Sequence, residues 1–171
     1  MSKLEDKYIF RDIVPEEGDQ AADIEQICFP PGEACPPEAM RQRAAAASEN
    51  FLVAVDRRTG RVAGFLNGLA TDETVFRDAF FFDAGLHHPE GDCVMLLGLD
   101  VLPEHRGQGL ARALMERYIR REAGRGRKRL ILTCLKDKIG MYQRMGYTYI
   151  GVSQSVLGGE VWYDMEIRLN E

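Results

Sequence analysis

The segment with the plainest chemical content reads Leu99-Asp100-Val101-Leu102-Pro103-Glu104-His105-Arg106-Gly107-Gln108-Gly109-Leu110-Ala111-Arg112. An apolar run ends at Pro103, which cannot donate to a strand ladder. A helical pattern opens a few residues later. The first turn of a helix has unpaired N–H groups and the positive end of the helix dipole, which together attract anions. Gly107 and Gly109 carry no Cβ to hold a phosphate away from those groups, and Ala111 is small for the same purpose. Arg106 and Arg112 add charge that can reach further phosphates. The same residues also suit a plain strand-to-helix turn that needs glycine for its dihedral angles, and composition alone does not choose between the two. No Gly-Lys-Ser/Thr follows, so this is not a P-loop, and the spacing is not G-x-G-x-x-G.

Other candidates are less specific. Tyr142 lies in a short helical segment, where a tyrosine is ordinarily a packing residue. His87, His88 and Asp92 lie close together before an apolar run. They read as a solvated turn, and three neighbouring turn residues rarely converge on one ion, so no metal is expected. The cysteines are Cys28, Cys35, Cys93 and Cys134, with no C-x-x-C pair among them. Cys93 and Cys134 sit in apolar runs, where a free thiol behaves as a small hydrophobe.

The elements that would position these groups follow from periodicity. Residues 8–14 alternate as a strand. Asp19 can cap a helix over 19–28, with Ala22, Ile24 and Ile27 on its apolar side, and the following Pro-Pro-Gly stops it. A second helix fits 37–48, where four alanines run together. Residues 51–55 and 61–69 read as a hairpin, turned at Gly60. Residues 71–91 are irregular with room for one short helix. Residues 94–101 are almost wholly apolar, as in a central strand buried on both faces. A helix over 109–122, a strand over 130–135, a short helix over 137–145 and strands over 148–156 and 160–169 complete the chain. The expected fold is α/β, a mixed central sheet flanked by helices.

The 171 residues suit one domain over 1–171 and are enough to bury a real core. A net charge of −5 argues against a nucleic-acid binder, which would want an excess of Lys and Arg on one face. It is compatible with a cationic substrate. Residues 1–8 have no apolar signal core, and no run approaches a membrane span. The expectation is a reduced, cytoplasmic protein without a membrane partner.

Arg106-x-x-Gly109-x-Ala111 resembles the Q/R-x-x-G-x-G/A signature of the GNAT N-acetyltransferase superfamily. The order of elements is similar as well. The resemblance implies a single-domain GNAT fold with a splayed pair of central strands. It implies acetyl-coenzyme A as co-substrate, its pyrophosphate held by the N–H groups of 106–112. Leu99, Asp100 and Val101 would splay at a bulge and pair with the pantetheine arm. Ile139-Gly140-Met141-Tyr142-Gln143-Arg144-Met145-Gly146-Tyr147 is similar to the family's F-Y-x-x-x-G-F segment. On that likeness Tyr142 is the general acid that protonates the departing thiolate. The family often has Asn seven residues earlier, where this chain has Leu135.

Looser similarity, at 86–92, at Cys28-Phe29-Pro30-Pro31-Gly32-Glu33-Ala34-Cys35-Pro36 and in the tail around Trp162, points to the arylalkylamine (serotonin) N-acetyltransferase-like branch, bacterial type. The vertebrate enzymes of that branch carry two histidines on the central strand. Met95 and Leu97 stand there in this chain, so that proton relay does not carry over. In the loop that would cover the acceptor, Glu33 could hold a substrate ammonium and Phe29 could stack on an aromatic acceptor. The resemblance thus implies acetyl transfer to a small primary amine in a ternary complex, by a monomer or homodimer. Rival readings are acetylation of a protein N-terminus or lysine, and a catalytically inactive coenzyme A sensor.

Overall fold

The computed structural model describes residues 4–170. Seven strands form one sheet: β1 (Tyr8–Asp12), β2 (Phe51–Asp56), β3 (Val62–Thr71), β4 (Cys93–Val101), β5 (Arg129–Cys134), β6 (Thr148–Val152) and β7 (Tyr163–Arg168). Their order is β1-β2-β3-β4-β5-β7-β6. Only β4 and β5 run parallel, and the chain crosses between them through a helix, as parallel neighbours require. The helices are α1 (Leu4–Lys7), α2 (Gly18–Cys28), α3 (Pro37–Ala46), α4 (Ala79–Phe82), α5 (Leu110–Gly124) and α6 (Ile139–Arg144).

Helix α5 covers one face of the sheet. Its Leu110, Leu114, Met115 and Tyr118 pack on Leu66, Val94, Leu96 and Leu130. Burying each such side chain contributes about 1.5–3 kcal/mol. The opposite face is covered by α2 and α3, whose Ala21, Ile24, Met40 and Ala44 meet Phe51, Val53 and Phe65. A third cluster, around Phe76, Phe80 and Phe81, closes that face beside Met95 and Leu97.

Two irregularities in β4 shape the molecule. Its register with β3 shifts between Asn67 and Gly68, so that Asn67 faces Gly98 while Gly68 faces Leu96. Leu97 is the extra residue of a bulge. On the other edge, β4 pairs with β5 only at Cys93, Val94 and Met95. From Leu97 to Val101 that edge has no strand partner, and the sheet opens between β4 and β5.

Several sequence expectations shift. The strand expected over 8–14 stops at Asp12, and the helix expected over 37–48 stops at Ala46. Asp19 does not cap α2; it lies inside the first turn and pairs with Arg41 at 3.3 Å. Ile27 is exposed, because α2 presents Ala21, Ala22 and Ile24 to the core instead. The last two strands are shorter than expected, since 153–162 forms a loop that Asp78 holds. Ser155 donates to Asp78 Oδ1 at 2.5 Å, and the Val156 N–H donates to its Oδ2 at 3.0 Å. Val161 therefore lies outside β7 and is exposed.

Candidate active site

The opening between β4 and β5 is a cavity of about 520 Å³. Leu97, Gly98, Leu99 and Val101 wall it from β4, and Leu132, Thr133 and Cys134 from β5. Ala111 and Met115 of α5 and Met141 and Tyr142 of α6 also line it. Its roof comes from two loops. Phe29, Pro30 and Glu33 belong to the first, Leu157 and Trp162 to the second. The loops touch: a Cβ on Gly158 would stand 3.2 Å from Glu33 Cγ and 3.4 Å from the Gly32 carbonyl oxygen. Trp162 donates its indole N–H to the Leu157 carbonyl at 2.7 Å, which fixes the second loop's shape.

At the α5 end lies the glycine turn. Gly107 and Gly109 have φ of +80° and +85°, the left-handed region that favours glycine. A Cβ on either would meet nothing within 4 Å, so the surface above them is open. The first N–H of α5 to find a partner is that of Ala113, which donates to the Gly109 carbonyl at 3.0 Å. Those of residues 107–112 have none among the described residues. An anion laid there meets several donors at the positive end of a 15-residue helix.

The sequence-derived residues separate by position. Leu99, Val101, Arg106, Ala111, Tyr142, Phe29 and Glu33 all line the cavity. The Arg106 guanidinium turns back on the strand: Nε donates to the Val101 carbonyl at 2.9 Å, and Nη2 lies 3.6 Å from Cys28 Sγ. Gln108 uses its side chain structurally, its amide donating to Tyr8 Oη at 2.7 Å and to the His105 carbonyl at 3.0 Å. The Leu110 side chain belongs to the core. Arg112 points to solvent and pairs with Glu116 at 3.2 Å. Asp100 sends its carboxyl to the α2 face of β4, away from the opening, because its neighbours Leu99 and Val101 alternate toward it.

Tyr142 is partly buried, its ring edge-on to Tyr147 at 5.8 Å. Its hydroxyl has no hydrogen-bond partner among the described residues. Burial, then the neighbouring Cys134 and Asp100 groups, push the phenol above its ordinary value, so it stays protonated at neutral pH. A free thiol titrates near 8.5. Proton donation to a thiolate is therefore uphill until positive charge develops beside the ring. Glu33 is raised by partial burial and by the charges of Glu160 and Asp137. Glu33 and Asp137 line the cavity, and Glu160 lies near enough to Glu33 to act on its charge.

His87 does not lie in a solvated turn. Its ring is buried, with Nδ1 accepting the Ala70 N–H at 3.0 Å and Nε2 at 2.6 Å from Glu49 Oε1. His88 is exposed beside Asp72. Neither lines the cavity. The group that sequence reasoning missed is Glu25 of α2, buried yet lining the cavity. Its flanking residues gave no signal, since a helical Glu beside Ile24 reads as an edge-of-face residue.

A family model described as Acetyltransferase (GNAT) family matches residues 19–147. Among solved structures, the loading GNATL domain of CurA from Lyngbya majuscula superposes with a TM-score of 0.80 at 14% identity, over 95% of this chain and 98% of that one. The GphF GNAT-like decarboxylase in complex with isobutyryl-CoA superposes at 0.76 and 16% identity, over 95% and 100%. A phosphinothricin acetyltransferase from Sinorhizobium meliloti in complex with AcCoA superposes at 0.68 and 18% identity, over 96% and 90%. At these identities the likeness shows the fold. No curated protein sequence matches the chain.

Proposed function

The chain belongs to the acetyltransferase (GNAT) family, and from that premise we propose that it transfers the acetyl group of acetyl-coenzyme A to a small primary amine by direct attack in a ternary complex. The observation that carries this reading is the cavity between β4 and β5, with an anion-seeking turn at one end and a carboxylate-bearing roof at the other. We take residues 1–171 as one domain, working as a monomer or homodimer in the cytoplasm. No helix of the described residues is long and apolar enough to cross a membrane.

On this reading the N–H groups of 107–112 hold the pyrophosphate, with Arg106 at the rim. The unpaired edge of Leu99, Asp100 and Val101 accepts the pantetheine arm as an added strand would be accepted. Holding thioester and amine side by side supplies much of the rate. Tyr142 gives its proton to the sulfur as the C–S bond breaks, and the cationic product-forming nitrogen beside it supplies the charge that brings the phenol within range. Glu33, Asp137 and Glu160 draw the acceptor in as its ammonium form. Phe29 and Pro30 give the chamber an apolar wall, which favours an arylalkyl tail over a polyamine and fits the arylalkylamine-like branch.

The rival acceptor, a protein N-terminus or lysine, needs an open groove. The close approach of the two loops at Gly158 and Glu33, with no room for a side chain at Gly158, favours a small molecule. The test is a thiol-release assay of the purified protein with acetyl-coenzyme A against a panel of arylalkylamines, alkylamines, polyamines and peptides. Turnover confined to peptides or proteins would overturn the small-amine reading.

A further inference from the structure

A primary alkylamine titrates near 10.4, so at neutral pH only about one molecule in a few thousand has a free lone pair. Something must take its proton. Met95 and Leu97 cannot, and neither His87 nor His88 reaches the cavity. The polar groups behind β4 offer an alternative.

At Gly98, beside the Leu97 bulge, the cavity wall has no side chain. A Cβ there would stand 3.0 Å from Asp100 Oδ1, 3.2 Å from Asn67 Nδ2 and 3.5 Å from Glu25 Oε1. Three polar atoms therefore converge on the space that a side chain at Gly98 would fill. Glu25 and Gly98 both line the cavity. Glu25 is 3% exposed and Asp100 1%. Glu25 Oε1 and both Asp100 oxygens are buried without a hydrogen-bond partner among the described residues. Glu25 Oε2 is fixed by the Cys35 N–H at 3.0 Å, which leaves Oε1 as the oxygen without a partner.

We propose that Glu25, which lines the cavity and is paired with Asp100 behind Gly98, is the general base that takes the proton of the acceptor ammonium. This rests on the acetyltransferase reading above. One N–H bond of R–NH3+ breaks, its electron pair stays on nitrogen, and an O–H bond forms at Glu25. The neutral amine then attacks the thioester carbon. The C–S electron pair leaves on sulfur, which is protonated by Tyr142. The second proton lost by nitrogen as the amide forms restores Tyr142, and Glu25 releases its proton to solvent.

The pair's surroundings favour this. Burial, then the Glu25 charge beside it, raise Asp100 well above the ordinary aspartate value. The other ionisable groups that face the pair are Cys35 from the α2–α3 loop, Cys28 one turn along α2 and Tyr142 of α6. Arg43 of α3 acts through Cys35 and through its 3.2 Å bond to Asn67, and Arg106 acts through Cys28. Inside the cavity, burial disfavours the ammonium as it disfavours the carboxylate. Moving one proton between them neutralises both.

The test is kcat/KM against pH for wild type, Glu25→Gln and Gly98→Ala, with an accepting amine and with acetyl-coenzyme A affinity measured alongside. The glutamine keeps an oxygen for the Cys35 N–H, and the alanine places a methyl against both carboxyls, 3.0 Å from Asp100 Oδ1 and 3.5 Å from Glu25 Oε1. Wild type should be nearly level from about pH 7 to the amine's own titration near 10.4. Glu25→Gln should lose about 10²–10⁴-fold at neutral pH and then climb about tenfold per pH unit, because it must wait for neutral amine from solution. Gly98→Ala should lose at least about tenfold at neutral pH. Cofactor affinity should be unchanged in both. A Glu25→Gln enzyme with the wild-type rate and a level profile overturns this proposal and leaves the acetyltransferase reading standing. If that variant does not fold, wild-type kcat/KM in Gly98→Ala overturns it instead. A wild-type protein that binds acetyl-coenzyme A yet acetylates no amine overturns both readings.

Discussion

Asp100→Asn should make the protein more stable at neutral pH. Asp100 is fully enclosed, and neither carboxyl oxygen receives a hydrogen bond among the described residues. Burial and the Glu25 charge raise its titration well above the ordinary aspartate value. An unfolded Asp titrates near 3.9. Between that value and the raised folded one, the native state binds a proton that the unfolded chain has released, so stability falls as pH rises through the window. Asparagine needs no proton, and its amide can donate to Glu25 Oε1. Relieving one unsatisfied buried group contributes about 1–3 kcal/mol. For a domain of this size each kcal/mol moves Tm by about 2–4 °C. Urea unfolding of both proteins from pH 3 to 8 should show curves that approach each other below about pH 4 and separate as pH rises. A mutant no more stable than wild type at pH 7, or a gap independent of pH, would refute the raised titration of Asp100.

Three further outcomes follow from the geometry. Gly109→Asp puts a side chain and a negative charge where the turn is open and φ is +85°; acetyl-coenzyme A affinity measured by calorimetry should fall more than about tenfold, or ~1.4 kcal/mol, with the fold retained by circular dichroism. Tyr142→Phe should lower kcat by about 10²–10⁴-fold with little change in cofactor KM, and full kcat under conditions where chemistry limits the rate would make Tyr142 a packing residue. Glu122 is buried at the end of α5 against Arg127 at 3.0 Å, Arg125 at 2.7 Å and Asn50 at 3.1 Å; Glu122→Ala should cost about 3–5 kcal/mol in chemical denaturation without altering cofactor affinity in the folded fraction.

What could be read in advance was whatever local chemistry dictates. The apolar run of β4, the amphipathic α5 and the glycines at 107 and 109 each carry their own reason in the residues, and the structure places them as those reasons require. The approach of Phe29, Glu33 and Tyr142 to one cavity was legible only through resemblance to a family. The missing parts depend on tertiary contacts. Ile27 obeys the helical period yet faces solvent, because α2 is rotated to bring Ala21 and Ile24 onto the sheet. Asp19 has a capping side chain, but the chain enters α2 from the turn at 15–17 and leaves it nothing to cap. His87 looked solvated because its partners, Ala70 and Glu49, are 17 and 38 residues away.

Glu25 and Asp100 are the most instructive omission, because no local pattern marks them. They are 75 residues apart, and each is unremarkable where it stands in the sequence. They meet only because the bulge at Leu97 and the missing side chain at Gly98 let α2 lie close to β4 at that point. A buried acid without donors is a cost to the fold, and a hydrophobic or amide side chain would remove it. Core packing therefore gives no reason for a second carboxyl group beside Glu25, which at least accepts the Cys35 N–H. Chemistry does: a proton acceptor must be held in place without a competing donor, and it must be reachable from the amine. Glu25 meets the first need through the Cys35 N–H on Oε2 and the unpartnered Oε1, and the second by lining the cavity. The same substitution at Asp100 should thus raise stability and lower the transfer rate, and both effects can be measured on one sample.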